Sequence, residues 1–386
     1  MAFFDLFRKP QSTVENKKIV NAEAVINTVR EQVISNASAF IKITHSEAIP
    51  FSEEEIVPVE KRIKKAFPSK QGLYPHEVLM LDYASSFYTD QNSFQGFWWY
   101  QYGVRNVDQC LKSLLERGFL KIGDLQSSIE KETATVIKGE LKKYGLKVSG
   151  KKDELVHRLM TEVSHEELAT SFPKRTYQMT DLGKGELDEQ SYVPYIHRHS
   201  LENLDIWSLN NIVHEPPFMP YRDKIWGYLN KRSMEHFSAS NYGLYRNCRY
   251  HMHIFLNEEG RFADALGMLA EVVFYDLSGL NNGYDPQYLY IFAEHFFPYK
   301  ESTVITAPGI IGAIMQCQDN LKLSDEEVKA LMIERMKKLS APLQLFTPEE
   351  CADIVFWESC EAVDELTKVY AKAKKRFKQQ YPEIKC

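Results

Sequence analysis

Between Lys138 and Arg158 the chain sets seven Lys and Arg against three acids, a local charge of +4 in a protein whose net charge is −6. Everything outside this stretch therefore sums to −10. The same residues read as two short helices joined by a tight turn. Val136, Ile137, Leu141 and Tyr144 recur at helical spacing. Gly145 stands where a left-handed C-cap is expected. Leu146 and Val148 cross the turn, Ser149 is placed to cap the second helix, and Leu155, Val156 and Leu159 give that helix an apolar face. A basic island on an acidic chain is the footprint expected of a polyanion-binding site. The competing expectation is a solvated hairpin whose lysines only keep it soluble.

Leu141, Gly145-Leu146, Ser149-Gly150-Lys151-Lys152 and Leu155-x-x-Arg158-Leu159 together resemble the signature of the SAP domain, a small helix–turn–helix-like module that mostly binds DNA. The resemblance implies a module over 131–163, with duplex DNA of weak sequence preference as its partner. It also implies backbone contacts from Lys142, Lys143, Lys147, Ser149, Gly150, Lys151, Lys152 and Arg158. Ser149-Gly150-Lys151-Lys152 would put a small residue and two cations at a helix N-terminus, where unpaired N–H groups and the dipole favour phosphate. Gly139 departs from the pattern, because an interior helix glycine costs about 1 kcal/mol against alanine.

A chain of 386 residues is long for one core and suggests two or three domains. Hydrophobic and charged fractions of 44% and 26% are those of a globular protein. The six cysteines, at 110, 248, 317, 351, 360 and 386, show no Cys-x-x-Cys spacing. Reduced thiols in a cytoplasmic protein are the expectation, with neither a disulfide framework nor a zinc motif. The opening MAFFDLFRKP meets charge too soon to be a signal peptide. The most apolar later stretch, 307–315, is far shorter than the roughly 20 residues a bilayer requires.

Residues 1–70 read as a helical N-terminal segment, with Ser52-Glu53-Glu54-Glu55 as a capping box for a helix through Val59 and Ile63 to Phe67. A second domain spans 71–197. Its helices are expected from Pro75 through Val78, Leu79, Leu81, Tyr83 and Phe87, over Phe97-Trp98-Trp99-Tyr100, and from Asn106 to Gly118. Phe119-Leu120-Lys121-Ile122 then alternates as a strand. Leu114 and Gly118, that strand, and Tyr177-x-Met179-Thr180-x-x-Gly183-x-x-x-Leu187 resemble the ending of a winged-helix domain. In that reading the SAP-like segment occupies the wing loop, since loop closure tolerates length. The helix that would read the groove carries only Arg105, Lys112 and Arg117 in its neighbourhood, offset by Asp108 and Glu116. DNA reading and protein interaction are both open for it.

Residues 198–386 read as an all-helical C-terminal domain. Residues 242–256 and Gly260-Arg261-Phe262-Ala263-Asp264-Ala265-Leu266 resemble one helix pair of the tetratricopeptide type, without the repeats of an array. Ser324 and Thr347-Pro348 mark helix starts. Lys372, Lys374, Lys375, Arg376 and Lys378 close the last helix, where cations suit the dipole. The aromatic density of 242–297 suggests a core plus a surface for a protein partner.

Catalytic and metal motifs are sparse. His197-Arg198-His199 and His251-Met252-His253 place imidazoles two apart, which diverge on a helix. No nucleotide-binding glycine loop occurs. Glu140-Leu141-Lys142 has nuclease letters but lies on the hairpin helix. The expectation is a non-enzymatic DNA-binding protein that needs no cofactor and no metal. Its fold class is mainly α: a winged-helix-like domain with a small two-stranded wing, a SAP-type helical hairpin insertion and a C-terminal helical bundle. The assembly resembles uncharacterised SAP-containing proteins of Gram-positive bacteria and their prophages. The alternative is a protein–protein interaction scaffold with no nucleic-acid role.

Overall fold

The computed structural model of the chain describes residues 56–199, 201–280 and 288–386. The fold is mainly helical with one small antiparallel sheet. The capping box at Ser52 lies outside the described residues. The helix expected to run through Val59 to Phe67 is shorter: α1 spans Val59–Arg62, followed by one 3₁₀ turn. Pro58, extended at φ −61° and ψ 151°, sets that start, because a proline biases the residue before it away from helix. Next, α2 (Pro75–Ala84) begins with proline in its first turn and with the Tyr74 N–H donating to Glu77 Oε2 at 2.9 Å. Val78, Leu79, Met80 and Leu81 are all buried, so this helix is covered on every side. It stops at Ala84, which leaves Phe87 beyond its end.

One turn of helix, α3 (Phe97–Tyr100), leads to Gly103, whose φ of +74° and close backbone neighbours admit no side chain. A Cβ there would stand 2.2 Å from the Val57 carbonyl oxygen. Then α4 (Val107–Glu116) buries Val107, Leu111 and Leu114. Gly118, at φ +79°, reverses the chain into β1 (Leu120–Ile122).

Four helices follow before the sheet resumes: α5 (Leu125–Lys131), α6 (Ala134–Lys143), α7 (Lys152–Glu162) and α8 (His165–Ser171). Strand β2 (Tyr177–Met179) then pairs antiparallel with β1, Leu120 opposite Met179 and Ile122 opposite Tyr177. An isolated bridge between Tyr88 and Thr176 extends the pairing. Thr180 caps α9 (Asp181–Glu189), its hydroxyl oxygen accepting from Gly183 N at 3.2 Å.

The four-helix excursion has its own core of Leu125, Ile129, Ile137, Leu141, Leu155, Val156, Leu159, Val163, Leu168 and Phe172. The flanking stretches look polar in the sequence. In the structure they are the helices α5 and α8, which supply Leu125, Ile129 and Leu168 to that core. The folded unit is therefore wider than 131–163.

Packing continues without a break past residue 197. After α10 (Tyr192–Arg198) come α11 (Ile206–His214), α12 (Tyr221–Ser238) and α13 (Tyr242–Glu258). Ile206, Leu209, Ile225, Leu229, Met252 and Phe255 from these helices join the same core as Leu79, Trp98, Leu111 and Tyr177.

A third core is built by the rest of α13 with α14 (Phe262–Asp276), the single turn α15 (Leu289–Phe292), α16 (Pro308–Leu321), α17 (Asp325–Met336), α18 (Pro348–Ser359) and α19 (Val363–Gln380). The starts of α17 and α18 are as the sequence predicts. Ser324 Oγ accepts from Glu327 N at 3.3 Å and Thr347 Oγ1 from Glu350 N at 3.2 Å, and each glutamate returns the bond. Among the described aromatics of 242–297, Tyr245, Phe255, Phe274, Tyr275, Phe296 and Phe297 are buried, whereas Tyr288 and Tyr290 are exposed. No described helix is long and apolar enough to cross a membrane.

Candidate nucleic-acid interface

The inserted unit presents its turn outward. α6 ends at Lys143, and Gly145 takes φ +67° so that Leu146 N can donate back to the Leu141 carbonyl at 2.9 Å. Gly150, at φ +134°, brings the chain so close to α7 that a Cβ would lie 2.5 Å from Glu154 Oε2. Helix α7 starts later than its sequence suggests. Lys151, not Ser149, is the N-cap residue, and its N–H donates to Glu154 Oε2 at 3.3 Å. The first turn of α7 is thus already compensated by Asp153 and Glu154.

The eight candidate residues sort by what they touch. Lys142, Lys147, Lys151 and Lys152 are exposed and form no ion pair among the described residues. Ser149 and Gly150 are exposed at the turn between them. Lys143 differs, because its ammonium sits 2.5 Å from Glu140 Oε2. Burial alone would raise the Glu140 carboxyl, but hydrogen bonds from Lys143 and Ser171 outweigh it and hold the group below its ordinary value. Ser171 Oγ donates to Glu140 Oε1 at 2.6 Å, tying α8 to α6. Arg158 differs again: its Nη1 donates to the carbonyls of Lys147 at 2.6 Å and Ser149 at 3.2 Å. It is a half-buried brace for the turn that carries the free lysines.

The unit is joined to the body through Tyr88, whose hydroxyl donates to Glu132 Oε1 at 2.5 Å. Burial, with that acceptor, raises the phenol to about 12. Lys131 Nζ lies 3.2 Å from the centre of the Tyr88 ring, a cation–π contact. The two strands where the excursion leaves and returns are held by Gly123 N donating to Thr176 O at 2.8 Å.

Some other cations are committed to partners, whereas Lys375 and Lys378 of α19 are exposed and form no ion pair among the described residues. Lys112 on α4 pairs with Asp108 at 2.6 Å, and Arg117 pairs with Glu77 at 2.5 Å. Arg105 stacks 4.1 Å from the centre of Trp99. On α19, Arg376 and Lys372 both reach Glu350, at 2.5 and 3.0 Å.

Neither histidine doublet belongs to a cluster of metal-ligating groups among the described residues. His197 bonds Tyr83 and Tyr102 hydroxyls at 2.7 and 2.6 Å, His199 pairs with Glu258 at 3.1 Å, and His253 Nδ1 meets the Tyr250 carbonyl. A different trio does converge, one without motif spacing. Ligand atoms of Glu202, His236 and Cys248 all lie within 4.8 Å of one another. His236 Nε2 is 2.9 Å from Glu202 Oε2, and Cys248 is fully buried.

Comparison with known families matches residues 129–163 to the SAP domain. SAP domains are generally DNA-binding modules, which supports nucleic-acid binding by this part of the chain. No curated protein and no solved structure matches the chain.

Proposed function

We propose that the chain is a non-enzymatic DNA-binding protein that contacts the phosphate backbone of duplex DNA through the turn of its SAP unit. The observation that carries this reading is the set of four exposed lysines, 142, 147, 151 and 152, without an ion-pair partner among the described residues, around a turn braced by Arg158. Contact with three to four phosphates corresponds to a log–log salt slope of about −3 and to weak, largely sequence-independent binding of about 10⁻⁴ to 10⁻⁶ M. The test is a titration of the full chain with duplex DNA at two salt concentrations. Affinity that is independent of salt would refute the reading.

The sheet and its flanking helices support a winged-helix reading of the body, with the SAP unit taking the place of the wing loop between β1 and β2. In that reading α4 is a packing helix rather than a groove reader. Lys112 and Arg117 already hold acidic partners, and a helix that reads bases must offer donors to base edges and phosphates. The body would then be a platform that presents the SAP unit to DNA.

One observation favours a protein partner in addition. Tyr288, Tyr290 and Ile291, at the start of and within the single turn α15, are each exposed. Aromatic residues exposed together are enriched at protein interfaces. Residues 198–386 would supply that contact, in a cytoplasmic protein.

A further inference from the structure

We infer that Glu202, His236 and Cys248 form a binding site for a soft divalent cation of the zinc class. This inference is independent of DNA binding and departs from the metal-free expectation drawn from the sequence. The three ligands come from three elements. Glu202 sits in the turn between α10 and α11, His236 in the last turn of α12, and Cys248 in the middle of α13.

The turn is unusual in its own right. Glu202 and Asn203 both take positive φ, 44° and 63°, and neither is glycine. Consecutive left-handed residues persist only where the surroundings over-determine them. Here Tyr228 donates to the Glu202 carbonyl at 2.9 Å, and Leu204 N donates to the Leu201 carbonyl at 2.7 Å. The effect is to drive the Glu202 carboxylate inward, where its side chain is only 7% exposed.

The polar groups around it are incompletely matched. His236 Nε2 faces the Glu202 carboxylate at 2.9 Å and the Arg232 Nη2 donor at 3.4 Å, and one ring nitrogen cannot serve both. Arg232 Nε is buried without a hydrogen-bond partner, 3.7 Å from Glu202. His251 Nδ1, on the same helix face as Cys248 three residues on, is also buried without one.

A cation bound to His236 Nε2 would remove the competition at that nitrogen. Imidazole, thiolate and carboxylate together select zinc-like ions over magnesium or calcium. Tetrahedral zinc places such ligand atoms about 3.3–3.6 Å apart, given bonds of about 2.0–2.3 Å. Reaching that from a 4.8 Å spread requires the widest-spaced ligand atoms to draw together by up to about 1.5 Å. One thiolate and one carboxylate neutralise the ion's two charges, so Arg232 can remain beside the second carboxylate oxygen as an orienting partner. The site would tie the 201–204 turn to α12 and α13, where the body core meets the C-terminal core and Trp226 packs against both.

Cobalt(II) is the probe, added to chelator-stripped full-length protein. One equivalent should give a thiolate-to-cobalt charge-transfer band, zinc should displace it, and zinc should raise the melting temperature. Cys248→Ser should abolish the band, and His236→Gln and Glu202→Gln should each weaken cobalt affinity at least tenfold. Absence of the band in the wild type overturns the inference, as does a band that survives Cys248→Ser. Should Cys248→Ser fail to fold, the other two variants decide it, and unchanged affinity in both overturns it.

Discussion

The guanidinium of Arg158 donates to the main-chain carbonyl of Lys147 at 2.6 Å, across the turn that displays the free lysines. The cation is therefore spent on shape, and its effect on DNA should be indirect. Arg158→Gln is expected to lower the stability of the SAP unit by about 1–3 kcal/mol, the usual worth of a hydrogen bond from a charged donor. DNA affinity should fall several-fold while the salt slope stays unchanged. A slope shallower by about 1 would instead identify Arg158 as a phosphate contact.

Lys143 and Lys142 are neighbours with different prospects. Lys143 is held by Glu140, whereas Lys142 has no ion-pair partner among the described residues. Lys142→Ala, Lys147→Ala, Lys151→Ala and Lys152→Ala should each shift the salt slope by up to about 0.9, and Lys143→Ala should shift it little. The measurement is fluorescence anisotropy of labelled duplex across a salt series.

The SAP unit should be removable. Its core shares no buried residue with the body, and Gly123 and Thr176 are already hydrogen-bonded where a bridge would be built. Replacing 125–172 with a short glycine-containing loop is expected to leave the main thermal transition in place and to abolish DNA binding. Loss of that transition would show that the unit supports the body.

Glu358 should govern part of the pH dependence of stability. Burial raises its carboxyl to about 7 from 4.5, and the Thr306 N–H at 3.1 Å does not offset it. The folded state thus holds a proton that the unfolded chain releases at lower pH. Stability from this group is fully present below about 4.5 and declines as pH rises through 7. Glu358→Gln should flatten the melting temperature between those values, read by thermal scans in matched buffers.

How much of this was legible in the sequence depended on whether the signal was local. Gly145, Gly118, Thr180, Ser324 and Thr347 announce their turns and caps through their own backbone or side-chain chemistry, and the structure uses them so. Ser149 was misleading because Gly150 turns the chain once more before α7 begins. The helices α5 and α8 look like polar linkers because each contributes only one or two residues to a small core, too few for a periodic signal. Glu202, His236 and Cys248 had no local signal. They are 34 and 12 residues apart and meet only because α12 and α13 pack side by side. The domain limit near residue 197 followed the end of the winged-helix-like pattern, whereas packing follows the buried faces of α11 and α12.

The central claim, that the braced lysine turn binds DNA, is tested most directly by reversing its charge. Lys147, Lys151 and Lys152 are substituted together by Glu in the full chain, and binding to duplex DNA is measured at low salt beside the wild type. The account predicts salt-sensitive binding by the wild type and none by the triple variant, with both proteins melting alike. Binding that survives the triple substitution would contradict it and place the DNA contact elsewhere on the protein.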